Sequence, residues 1–209
     1  MTKMRHSFRF PYEVQDAVRR HVRNAVSKVD PSRYSQEPAY TSALMSALEG
    51  RAYEGSAGSV DFKATIATDH GPGAAERWSG IDFVITAAIF DQSTRVEKAI
   101  VFQAKRGNIS ALTAHERQRL IGQISAMKTY TSSPKVLEVP NIPVKMVPTV
   151  VSGNRVHSGS PYVQVDLADY FVRRVLPTLD GDTRPAFVQS VQESSLSQLF
   201  VVANLGTSR

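Results

Sequence analysis

Two stretches decide the fold of this chain: Ser79-Gly80-Ile81-Asp82-Phe83 and Ile100-Val101-Phe102-Gln103-Ala104-Lys105-Arg106. From Ile81 to Phe90 the residues are β-formers, apolar on both faces, which predicts a central strand covered on two sides. Ala99 to Lys105 predicts a second strand. Strand side chains alternate, so Gln103 and Lys105 share one face while Ile100, Phe102 and Ala104 share the other. Between the runs, Asp91-Gln92-Ser93-Thr94-Arg95 is polar and turn-forming. A hairpin centred between Gln92 and Ser93 sets Asp82 beside Gln103 on one face. A slip of one residue would part them, so this expectation requires a turn without a bulge.

In that register Asp82, Gln103 and Lys105 converge at one strand end. A carboxylate, an amide oxygen and an ammonium gathered there can hold a divalent cation and a water for phosphodiester cleavage. Taken singly, each residue has a plainer reading: Asp82 caps a turn, and Lys105 emerges into solvent. Their order along the chain favours the joint reading.

A third acid precedes the sheet. Ser35 to Gly50 predicts a helix, with Ser35 as N-cap, Pro38 in the first turn and Gly50 as the stop. Tyr40, Leu44 and Leu48, with Ala43 and Ala47, form its core-facing stripe. Glu37 lies one turn before Tyr40, near that stripe. A carboxylate there points inward or toward the sheet's edge, or complements the positive end of the helix. Glu76 is the second candidate, and Glu49 falls on the solvated side.

These residues resemble the PD-(D/E)xK nuclease superfamily. Gly80-Ile81-Asp82-Phe83 looks like its first motif and Gln103-Ala104-Lys105 like its second. Gln in place of the usual second acid is similar to the Mrr-like branch. Phe102 to Arg106, followed by a helix carrying Gln123 and Met127, also resembles nuclease domains of bacterial anti-phage effectors. The resemblance covers about Glu37 to Tyr130. It implies an α/β, restriction-endonuclease-like fold: a mixed central β-sheet flanked by α-helices. It implies a metal-dependent endonuclease acting on DNA in phage defence or restriction. In that reading Mg²⁺ or Mn²⁺ is held by Asp82, Gln103, Glu37 and the carbonyl of Ala104. Lys105 orients the attacking water, and Gln123 and Arg106 lie close to the nucleic acid. The neutral Gln103 leaves one negative charge fewer than an acid would. An alternative therefore stands: an inactive nuclease-fold module that binds nucleic acid or a partner protein.

Composition bounds the rest. The 209 residues are 42% hydrophobic, enough for one sizeable core, and one domain over 1–209 is expected. Its centre is 35–151, with an N-terminal helix and a C-terminal segment packed around it. No apolar run is long enough to span a bilayer, and the first residues lack a signal peptide's apolar stretch. Cysteine is absent, which excludes disulfides and thiolate metal sites. A cytoplasmic protein is expected. The net charge of +6 favours polyanions. In Tyr12 to Lys28, Val14, Val18, Val22 and Val26 make an apolar stripe; Arg19, Arg20 and Arg23 lie off it, free for phosphates or for solvent. Cutting both strands of a duplex would favour a homodimer or larger assembly. No Ser-His-Asp arrangement, HExxH or Walker loop supports another enzyme class, and the five histidines lack metal-ligand spacing.

Further strands are expected at Ser59–Thr68, Lys135–Val139, Lys145–Val151 and Leu196–Val202, and helices at Leu112–Tyr130 and Val165–Leu176. Asp69 to Ala74 reads as a loop, Trp78 as a packing residue, Ser152 to Ser160 as a polar mobile segment, and Asp180-Gly181-Asp182 as a turn.

Overall fold

The structure, a computed structural model, describes residues 7–67, 79–139 and 147–206. Among them are eight strands and six helices. The helices are α1 (Tyr12–Lys28), α2 (Glu37–Leu48), α3 (Ala114–Lys128), α4 (Gly153–Ser158), α5 (Leu167–Tyr170) and α6 (Pro185–Gln192). The strands are β1 (Gly50–Gly55), β2 (Gly58–Thr65), β3 (Phe83–Phe90), β4 (Arg95–Arg106), β5 (Lys135–Val139), β6 (Thr149–Ser152), β7 (Val165–Asp166) and β8 (Ser197–Leu205). They form one open mixed sheet in the order β1-β2-β8-β3-β4-β5-β6-β7, an α/β architecture.

The β3–β4 hairpin has the expected register. Phe83 faces Phe102 and Phe90 faces Arg95, with an unbroken ladder between. The Asp91 carboxylate fixes the turn, accepting from the backbone N–H groups of Ser93 and Thr94, each at 2.8 Å. At the other end the Phe83 and Phe102 rings stack, their centroids 4.7 Å apart.

Helices cover both faces of the sheet. On one, Val14, Val18 and Val22 of α1, Tyr40, Leu44 and Leu48 of α2, and Leu167 and Phe171 pack against Phe62, Phe83, Ile85 and Phe102. On the other, Met127 of α3 and Val188 and Val191 of α6 cover Val84 and Val101. There too, Leu120 and Ile124 of α3 and Val156 of α4 cover Val136 and Val151. α3 starts on a reciprocal cap: Thr113 Oγ1 accepts from the Glu116 N–H, and the Glu116 carboxylate accepts from the Thr113 N–H.

Several elements differ from the sequence reading. Gly50 does more than stop α2: it opens β1, an exposed edge strand paired with β2. The N-cap of α2 is Gln36 rather than Ser35. Ser152 to Ser160 contains α4, ended by Gly159 in the left-handed region. The stretch from Val165 begins as strand β7, continues as the single turn α5 and widens over Phe171–Val175 into a π-helical turn. β8 is an interior strand, antiparallel to β2 and parallel to β3. Among the described residues no helix is long and apolar enough to cross a membrane.

Candidate active site at the end of the β3–β4 hairpin

Asp82 immediately precedes β3, and its backbone N–H donates to the Phe102 carbonyl at 2.8 Å, which continues the ladder. Its carboxylate Oδ2 accepts from the Ala104 N–H at 2.6 Å and from the Gln103 amide nitrogen. The expected pairing of Asp82 with Gln103 on one face is therefore present. The approach to Asp82 is tightly set. Gly80 has φ +67°, and a Cβ there would lie 2.5 Å from the Gln123 carbonyl of α3. Only glycine lets the chain enter β3 this close to the helix backbone. Gln123, read from sequence as a neighbour of the site, thus borders it through its main chain.

The amide of Gln103 is buried, and its two ends differ. Nε2 donates to Asp82 Oδ2 and to the Ala104 carbonyl, the latter at 3.1 Å. Oε1 is buried with no hydrogen-bond partner. The Asp82 carboxylate and the Ala104 carbonyl thus both face one point, and an NH₂ group fills it. Turning the amide over would present a third oxygen to that point. Carboxylate, carbonyl and amide oxygens suit a hard divalent cation. Among the described residues no three His, Asp or Glu side chains gather where they could hold a metal ion. A cation here would therefore rely on the amide and backbone oxygens that Gln103 and Ala104 supply.

Lys105 follows two residues on along β4, and its side chain is only 12% exposed. Its Nζ lies 3.2 Å from Glu37 Oε1. The same carboxylate oxygen accepts from the Arg106 backbone N–H at 2.9 Å. The start of α2 is thereby joined to the end of β4, and Glu37 meets Lys105 and the Arg106 main chain. Whatever it contributes to the field at its own helix end, the carboxylate is directed at Lys105.

Two further acids flank Lys105, neither foreseen as part of the site. Glu138 of β5 is its register neighbour and is buried. Its carboxylate accepts from the Ile109 N–H, the Thr149 hydroxyl and the Gln164 amide at 2.9, 2.7 and 2.6 Å. It pins the turn leading into α3. Glu116 of the α3 cap has its carboxyl held below the ordinary value, chiefly by hydrogen bonds from Thr113, with the Lys105 charge adding to the effect. A buried acid on an apolar strand is the only sequence signal that marks Glu138.

The remaining candidates sit elsewhere. The Arg106 guanidinium turns toward the chain before α2, as described below. Arg19 pairs with Asp169 at 2.8 Å, Arg20 pairs with Asp16, and Arg23 is exposed on α1. This helix packs on the opposite face of the sheet from α3. The structure does not bring these three arginines together with Lys105. Glu76, Trp78 and the loop at 69–74 lie outside the described residues. No protein-family model, curated protein or solved structure matches this chain.

Proposed function

We propose that this chain is a metal-dependent endonuclease of the PD-(D/E)xK kind, hydrolysing DNA phosphodiester bonds in the cytoplasm as part of phage defence or restriction. The observation that supports it most is the direct contact of Asp82, Gln103 and the Ala104 carbonyl at one strand end, with the Lys105–Glu37 pair on the next residue of β4. Bound Mg²⁺ or Mn²⁺ would polarise the scissile phosphate and lower the pKa of an attacking water. Asp82 and the Ala104 carbonyl supply fixed oxygens, and Gln103 supplies a third when its amide turns. Lys105, steadied by Glu37, offers a compact charge that orients the water and offsets charge growing on the phosphate. The net charge of +6 favours a polyanionic substrate. A symmetric dimer would place two such sites for cutting both strands.

The test is plasmid DNA with Mg²⁺ or Mn²⁺, comparing the wild type with Asp82→Ala and Lys105→Ala. Cleavage that each substitution lowers by about 10³-fold or more is expected. One observation favours a second reading: the Gln103 amide nitrogen already occupies the point a cation would take. DNA binding without cleavage under any divalent metal would identify a nuclease-fold module that no longer cuts.

A further inference from the structure

We infer that Arg106 is a positioning residue that acts through Glu37, rather than a contact to phosphate. Its guanidinium Nη2 donates to the Tyr34 carbonyl at 2.5 Å and to the Pro31 carbonyl, and Nη1 to the Ser35 carbonyl at 3.5 Å. These carbonyls belong to one connector, between the end of α1 and the start of α2. One residue, at the last position of β4, therefore grips that connector with its side chain and receives Glu37 with its main chain.

The grip is needed because α2 does not secure its own start. Its N-cap, Gln36, makes no side-chain capping bond, and Pro38 occupies the first turn without an N–H. Glu37 is the first residue of that helix, so its place depends on where the connector ends. The planar guanidinium is well matched to this role, because its fixed fork addresses several carbonyls at once, which an ammonium of one point charge does not. Lys105 is adjacent in sequence, so the residue that holds the connector also sets the separation of Glu37 from Nζ. The catalytic consequence rests on the nuclease reading. The mechanical one does not.

Four variants separate these possibilities: Arg106→Ala, Arg106→Lys, Glu37→Ala and the double Arg106→Ala/Glu37→Ala. The metal-free readout is hydrogen exchange at the backbone amide of residue 106, observed by NMR. We expect it slow in the wild type and faster by about tenfold or more in Glu37→Ala and in Arg106→Ala, with no further gain in the double variant. Mn²⁺ affinity is expected to fall by a similar factor, about 10-fold, in either single variant and no further in the double. Affinity for a short DNA duplex, measured in EDTA, is expected to stay unchanged in Arg106→Ala, with the same salt dependence. Arg106→Lys keeps the charge and should fail to restore protection; it carries the same test where alanine does not fold. A residue-106 amide as protected in both Arg106 variants as in the wild type would overturn the inference. So would a loss of DNA affinity with a salt slope smaller by about one, the signature of a lost phosphate contact. If the wild type neither binds cation nor cuts DNA, the nuclease reading falls while the exchange result still decides the role of Arg106.

Discussion

Gln103 donates from its amide nitrogen to the Asp82 carboxylate, so the hairpin register joins the two residues directly while Gln103 Oε1 keeps no partner. A carboxylate at position 103 would change that balance.

Gln103→Glu places a buried carboxyl group against the half-buried one of Asp82, and one of them holds its proton to higher pH than in the unfolded chain. A raised folded pKa gives stability that is present at low pH and lost as pH rises through it. The variant should therefore melt about 2–8 °C below the wild type at pH 8, a loss of about 1–2 kcal/mol, and less so at pH 5. Added Mn²⁺ should recover the loss. A variant indifferent to both pH and Mn²⁺ would show that position 103 does not face the cation point.

Gly80→Ala forces a side chain into the left-handed region, with its Cβ 2.5 Å from the Gln123 carbonyl. Strain of this kind costs about 1–3 kcal/mol. Because Asp82 follows two residues later, cation affinity should fall along with the melting temperature. Urea denaturation and Mn²⁺ titration of one preparation test both.

Gly122→Ala should do the opposite. Gly122 lies inside α3, and a Cβ there meets nothing within 4 Å. Alanine is a better helix former by about 1 kcal/mol, so a rise in melting temperature of about 2–4 °C is expected. Cleavage and DNA affinity should not change. A lower melting temperature would mean that α3 is more tightly covered than its outer face indicates.

Asp169 has its carboxyl held below the ordinary value, chiefly by the Arg19 hydrogen bond and further by the Arg173 charge. A depressed folded pKa contributes stability above the unfolded value near 4, lost as pH falls through the folded value. Asp169→Asn should lower stability at pH 7 and flatten its fall below about pH 4. Thermal melts between pH 2 and pH 7 provide the comparison. Parallel curves for the two proteins would show that this pair does not link α1 to α5.

The hairpin was legible because its determinants are local. Alternating apolar residues fix the faces, and Asp91 fixes the turn, so Asp82 meets Gln103 without further information. The stripe of its own helix set Glu37 near the core, but its contact with Lys105 is long-range and only the family resemblance singled it out. β1 was not, because an exposed edge strand bounded by Gly50 and Gly55 carries no apolar alternation. α4 was hidden for a similar reason: it spans six residues, of which Gly153 and Val156 are buried. The grip of Arg106 leaves no trace in sequence, since its acceptors are backbone carbonyls that any residue provides. The interior place of β8 is fixed by packing between distant segments, which periodicity cannot convey.

That placement bears on when the protein becomes whole. β8 alone joins the β1–β2 hairpin to β3 within the sheet. During translation β3 and β4 are complete long before residues 197–205 leave the ribosome, and until then one rim of β3 is bare. The strand that follows Asp82 therefore gains its last neighbour only when that distant segment arrives, and the β1–β2 hairpin stays apart from the rest of the sheet until then.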